Sequence, residues 1–282
     1  MHSVRTDRPL DPTLLIILGT VDRVAVDCGI DYFVAGAMAR DILLTHVFGI
    51  DTGRATRDVD FAIAVESWDQ FDLVKARLVS VGSFTASGTP AHRLYYRDKF
   101  PIDLIPFGGI EQTPHTFAWP SELDVMNVAG YEDVLKAAEH VQVAPDLIIR
   151  VASLPGLAVL KLFAWMDRGL TNSKDADDLL TIMRRYSDAG NLDRLYGEAF
   201  GMLESAGYDP DLAGACLLGA DIARRVSEST YRQLVDRLND ATLVDRLILQ
   251  MARSLTGEED SQTLADAFIG QFKTGLGIRP SR

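Results

Sequence analysis

The sequence predicts an α+β fold: a mixed sheet with flanking helices over residues 1–150, followed by a helical domain over residues 151–282. Three observations support this. Short apolar and β-branched runs (YFVA, VDFAIAV, PIDLIPF) alternate with helical stretches in the first half. From Leu154 almost every segment carries apolar residues at helical spacing. The change falls near residue 150 without a clear Pro/Gly linker, and 282 residues are comfortable for two domains.

Residues 12–28 have the apolar spacing of a helix. Tyr32 to Ala35 read as a short strand, Gly36-Ala37 as a tight turn, and Met38 to Val47 as a helix. A loop containing Gly and Thr leads into a strand from Val59 to Val65, and residues 66–82 are helical in pattern. Residues 93–109 read as two strands joined at a turn near Asp98-Lys99, and HVQVA and LIIRVA add further strand. The second part predicts helices over residues 155–169, 173–188, 191–206, 209–226, 228–238, 241–255 and 260–273. The tail, residues 277–282, is expected to lack structure.

Composition narrows the class. At 47% hydrophobic and 24% charged residues, the chain is an ordinary globular protein with ample material for a core. Its net charge of −12 argues against broad, non-specific nucleic-acid binding, though a local basic pocket is compatible with it. Cys28 and Cys216 stand far apart in no metal-ligand spacing and are expected to be reduced core thiols in a cytoplasmic protein. The N-terminus has no apolar run of a signal peptide, and no membrane segment is expected, because Lys161 interrupts the most apolar stretch, LPGLAVLKLFAW. The five histidines are scattered, and no G-x-S-x-G, P-loop or G-x-G-x-x-G is present.

The chemistry concentrates in TRDVDF. Asp58 and Asp60 are two apart at the start of a strand, where residues i and i+2 share a face. A third acid, Asp103, sits inside the apolar strand PIDLIPF, where a lone carboxylate is expensive to bury without a partner. Two Mg²⁺ ions would answer the repulsion, with oxygen ligands from the acids and from substrate phosphates. In-line attack of a hydroxyl on the α-phosphorus of an NTP would then release pyrophosphate. Asp58 and Asp60 would bridge the metals, and Asp103 would bind the second metal or act as the base. Gly36 lets phosphate approach the backbone, and the helix that follows offers unpaired N–H groups. Arg40, one turn into that helix, either faces the phosphates or pairs with Asp41 or another acid.

These motifs resemble a family. GAMARD, TRDVDF and PIDLIPF, in that order, are similar to the nucleotidyltransferase superfamily that includes DNA polymerase β and the tRNA CCA-adding enzymes. That resemblance implies a polymerase β-like sheet. Here Gly36-Ala37 stands where the family has Gly-Gly or Gly-Ser. In the helical part Lys161, Arg168 and Lys174-Asp175-Ala176-Asp177-Asp178 are similar to the third motif of the AbiEii-like nucleotidyltransferases, toxins of abortive-infection and toxin–antitoxin systems. Lys161 and Arg168 are seven apart on one helix face, Asn172 or Ser173 caps the next helix, and Asp175 and Asp178 share a face of it.

The resemblance implies a metal-dependent enzyme that binds nucleotide through Gly36, Ala37, Arg40, Arg57, Lys161, Arg168, Lys174, Asp175 and Asp178. It also implies an RNA acceptor such as tRNA and a cognate antitoxin. A snorkelling Lys161 and an acidic first helical turn are the structural alternatives. AGAMARDILL also resembles the CCA-adding enzymes, but their later nucleotide-selecting motifs are not found in place. Other readings are an aminoglycoside-type transferase, a nucleotide-binding module without turnover, and a helical interaction protein on an α/β scaffold.

Overall fold

The computed structural model describes residues 1–53, 56–112, 115–120, 125–255, 257 and 260–278. From residue 279 on, the tail expected to lack structure lies outside the described residues. The chain divides into two compact units, Met1–Ser153 and Leu154–Arg282.

The first unit begins with β1 (His2–Ser3) and α1 (Pro12–Cys28). Asp11 accepts a hydrogen bond from the Thr13 amide at 2.7 Å, Pro12 occupies the first turn, and Gly29 closes the helix at φ 64°. Next come β2 (Tyr32–Ala35) and α2 (Gly36–Asp41), which widens without a break into a π-helical segment, Ile42–Val47. Then follow β3 (Val59–Val65), α3 (Trp68–Ser80), β4 (Phe84–Ala86), β5 (Arg93–Tyr96), β6 (Phe100–Gly108), β7 (Thr116–Ala118), β8 (Val125–Asn127), α4 (Tyr131–Lys136), β9 (Glu139–Ala144) and β10 (Leu147–Val151).

Among the described residues the main sheet runs β1-β9-β10-β2-β3-β6-β5-β4, with β7 and β8 paired apart from it. At its centre β3 is antiparallel to β2 and parallel to β6, so the sheet is mixed. One face, carrying Tyr32, Phe61 and Ile63, is buried and tied to α1 by a 2.7 Å hydrogen bond from the Tyr32 hydroxyl to Asp22. On the other face Phe33, Phe107 and Tyr131 of α4 stack in a tilted cluster, with ring centroids 5.7–6.1 Å apart. Asp60 and Asp103 stand on this second face, beside the aromatic cluster.

The second unit is helical: α5 (Leu154–Arg168), α6 (Lys174–Arg185), α7 (Leu192–Tyr196), α8 (Phe200–Ser205), α9 (Pro210–Arg225), α10 (Glu228–Leu238), α11 (Ala241–Ser254) and α12 (Ser261–Gly275). The single helix expected over residues 191–206 is two, because the chain turns at Gly197, which leaves helical backbone angles at φ −115°, ψ −106°. Gly is a poor helix former, and here it ends α7. The elements the sequence pattern did not reveal (β1, β4, β7, β8 and α4) are two to six residues long, too short to show a period.

Helices α9 and α12 approach backbone to backbone. A Cβ at Gly275 would lie 1.8 Å from the Cys216 carbonyl oxygen, and one at Gly219 would lie 2.3 Å from that of Phe272. Neither clash can be relieved by turning a side chain, so Gly275→Val is expected to destabilise the protein by about 3 kcal/mol. Urea unfolding of the full chain measures this. Gly270→Ala, where an added Cβ meets nothing within 4 Å, is the control expected to match or exceed the parent.

Candidate active site

The site starts at the junction of β2 and α2. Gly36 has φ +64°, a left-handed conformation that favours glycine. Its neighbour Ala35 is paired with Asp60 across the antiparallel β2–β3 ladder. A Cβ on Gly36 would lie 1.8 Å from Oδ2 of Asp60 and 2.8 Å from its Cγ. The carboxylate of Asp60 therefore rests on the bare Cα of Gly36, in space that any other residue would fill.

On the opposite side of β3, Asp60 is in register with Asp103 of the parallel strand β6. Neighbouring strands lie about 4.8 Å apart, so the two carboxylates leave adjacent backbones on the same face. Asp103 is in turn in register with Arg93 of β5. The guanidinium grips it in a two-pronged pair: Nε donates to Oδ1 and Nη2 to Oδ2, both at 2.7 Å. That carboxylate pushes the Arg93 pKa further up from its already high value. His92 Nε2 lies 3.9 Å from Asp103 Oδ1, beyond a hydrogen bond. The cation that the half-buried carboxylate of Asp103 meets is thus Arg93, a residue the sequence did not single out. A hairpin turning near Asp98-Lys99 pairs residues equidistant from the turn, and that register was the available signal.

Asp58 and Arg57 precede the first residue of β3 and are exposed. Their loop is anchored from α2. Asp41 accepts hydrogen bonds from the Thr52 hydroxyl at 3.5 Å and from the Thr56 amide at 3.4 Å. Asp41 is held by Arg40, whose Nη2 and Nε donate to its Oδ1 at 2.7 and 3.0 Å. Arg40 is only 3% exposed. Of the two fates the sequence allowed, the structure shows the pairing: Arg40 is a buried partner of Asp41, and through it steadies the loop that carries Asp58.

The donor set can be weighed against a divalent cation. Asp58 and Asp60 offer hard carboxylate oxygens, and Gly36 leaves Asp60 the room it occupies. Mg²⁺ is bound through one or two carboxylates and completes its shell with water and substrate phosphates, so these two residues fit it. At Asp103 an ion would share the carboxylate with Arg93, which donates to both of its oxygens and sets a positive charge beside it. Among the described residues, no three His, Cys, Asp or Glu side chains converge closely enough to hold an ion.

In the helical unit α5 and α6 bring Lys161, Arg168, Asp175 and Asp178 together. Lys161 Nζ lies 3.1 Å from Asp175 Oδ1 and 2.6 Å from Asp178 Oδ2. Arg168 donates to Asp175 through Nε at 2.6 Å and Nη2 at 2.9 Å. Burial alone would raise the pKa of Asp175, but the hydrogen bonds of Arg168 and the charge of Lys161 outweigh it and hold the group below the ordinary carboxylate value. The K-D-x-x-D spacing thus places both acids on one face of α6, around one lysine. Lys174 is exposed in the first turn, where the side chain of Asn172 accepts a hydrogen bond from its amide at 3.0 Å.

A family model described as the nucleotidyl transferase AbiEii toxin of type IV toxin–antitoxin systems matches residues 33–269. The chain belongs to this family. The match spans Gly36, the three aspartates and the Lys161–Asp178 cluster. No curated protein matches the chain. Among solved structures it is similar to the antibiotic-resistance factor ANT(2'')-Ia, at 13% identity and a TM-score of 0.40, covering 71% of this chain and 99% of that one. It is also similar to the Thermotoga maritima CCA-adding enzyme complexed with tRNA, at 14% identity and a TM-score of 0.28, covering 97% and 84%. No helix of the described residues is long and apolar enough to cross a membrane.

Two expectations follow. Gly36→Ala must displace the Asp60 carboxylate, costing about 2 kcal/mol of stability in urea unfolding and about 100-fold in nucleotidyl transfer. Asp175→Asn, which strips Lys161 and Arg168 of a buried partner, is expected to cost about 3 kcal/mol at pH 7. A carboxyl with a lowered folded pKa contributes stability that is complete above its unfolded value of about 3.9 and lost as pH falls through the folded value. The gap between parent and Asp175→Asn should therefore close in unfolding curves taken below pH 4, where the parent's carboxyl also becomes protonated.

Proposed function

We propose that this nucleotidyltransferase is metal-dependent and transfers NMP from an NTP to a hydroxyl on RNA, such as tRNA, as a toxin restrained by a cognate antitoxin. The observation that carries the chemistry is the seating of Asp60 on Gly36, in register with Asp103. It gathers two carboxylates at the Gly36-Ala37 turn, on one face of the sheet. The antitoxin rests on the family description, a toxin of type IV toxin–antitoxin systems, and the RNA acceptor on the resemblance read from the sequence motifs.

In this reading the NTP lies against the Gly36-Ala37 turn, beside the Asp60 carboxylate that fills the place of the missing side chain, and Arg57 reaches its phosphates from the loop ahead of β3. Asp58 and Asp60 would hold the divalent cation. When bound, that ion neutralises phosphate charge and lowers the pKa of the acceptor hydroxyl. The acceptor oxygen forms a bond to the α-phosphorus as the bond to the pyrophosphate oxygen breaks. The hydroxyl proton passes to Asp103, whose oxygens keep lone pairs beyond the two Arg93 uses. Within the helical unit the family resemblance makes Lys161 and Lys174 nucleotide-binding cations, with Arg168, Asp175 and Asp178 fixing the geometry of Lys161.

A second reading, a small-molecule acceptor of the aminoglycoside type, is favoured by the net charge of −12, which suits a small or locally gripped acceptor better than a long duplex. One experiment separates them. The protein is incubated with each α-³²P-labelled NTP and Mg²⁺, with total tRNA, with an aminoglycoside, or with neither. RNA labelling that falls at least about 100-fold in Asp58→Ala/Asp60→Ala is expected. Label on the aminoglycoside alone would move the assignment to the second reading. Absence of both label and pyrophosphate under every condition would defeat both.

A further inference from the structure

We propose that Arg93 is a built-in counterion of this site: fixed by Asp103, it takes the place of a second divalent cation, so that the chain loads one ion, on Asp58 and Asp60. The inference rests on the nucleotidyl-transfer reading of the same site.

Three observations carry it. Asp60, Asp103 and Arg93 follow one another in register across β3, β6 and β5, so the guanidinium stands on the same face as the carboxylates, one strand beyond Asp103. The pair uses both oxygens of Asp103 at 2.7 Å, the planar fork-to-fork geometry that suits arginine and not lysine. A second ion bridging Asp60 and Asp103 would have to share Asp103 with the guanidinium and sit beside its positive charge. Asp103 also takes only two of the five guanidinium donors, and the Arg93 side chain is 29% exposed, so it can still meet an anionic phosphate oxygen.

The test counts ions. Mn²⁺ binding is followed by electron paramagnetic resonance in the presence of an NTP analogue with a methylene between the α- and β-phosphorus, which cannot be cleaved there. The parent protein is expected to bind one Mn²⁺ per chain. Asp103→Asn is expected to keep that count, with affinity within about threefold, because Asp103 is not a ligand. Arg93→Met, which leaves Asp103 open beside Asp60, is expected to bind two. Two ions in the parent would overturn the inference and leave the nucleotidyl-transfer reading standing. Loss of an ion in Asp103→Asn, or an unchanged count in a folded Arg93→Met, would also overturn it. No bound Mn²⁺ in the parent would bring down the inference together with the metal-dependent reading. Circular dichroism melts establish that each variant is folded. If Arg93→Met is not, the counts in the parent and in Asp103→Asn decide.

Discussion

The first unit is organised around one row of residues that crosses four strands: Ala35, Asp60, Asp103 and Arg93. Two carboxylates on adjacent backbones repel, and this row resolves the repulsion with two devices. At one end the chain turns through a glycine whose missing side chain gives the Asp60 carboxylate somewhere to go. At the other a guanidinium takes hold of Asp103. Much of the surrounding sheet serves that row. The parallel pairing of β3 with β6 sets the register of the acids, and the buried face behind them, from Tyr32 to Ile63, fixes the strands so that a one-residue slip is ruled out.

Charge is handled alike elsewhere. Arg40 and Asp41, adjacent in sequence and buried, neutralise each other while Asp41 still reaches the loop ahead of β3. In the helical unit Lys161 and Arg168 share Asp175, and Arg194 and the Tyr186 hydroxyl hold the buried Asp221, whose pKa falls to about 2 despite its burial. In each case the buried carboxylate has a cationic partner within its own unit, as the high cost of an unpaired buried charge demands.

The sequence made a good part of this legible. The D-x-D at the head of an apolar strand, the acid inside PIDLIPF and the glycine before GAMARD all carry patterns that survive without coordinates. The long helices of the second half, such as residues 228–238, are legible because three or more turns of apolar spacing leave a clear period. Arg93 was hidden by the kind of information it needs. It is unremarkable in RLYY, and only the hairpin register reveals that it faces Asp103. Arg40 was ambiguous for another reason. An arginine one turn into a helix faces in or out according to what packs around it, and periodicity over a six-residue helix does not decide that. The acids of K-D-A-D-D resembled dipole-complementing surface charges, and their burial depends on how α5 lies against α6.

The hairpin that joins Arg93 to Asp103 also bears on how this sheet assembles. The two residues are ten apart in the chain, whereas Asp60 and Asp103 are separated several-fold further. Loop-closure entropy favours the shorter connection, so the β5–β6 hairpin can form its ion pair before β3 docks alongside. By that order Asp103 meets Asp60 already carrying its cation, and the strand pairing that creates the site proceeds without two bare negative charges being driven together. A pair that reads as local electrostatics in the finished protein is also a matter of sequence proximity, which sets the order in which like charges are brought face to face.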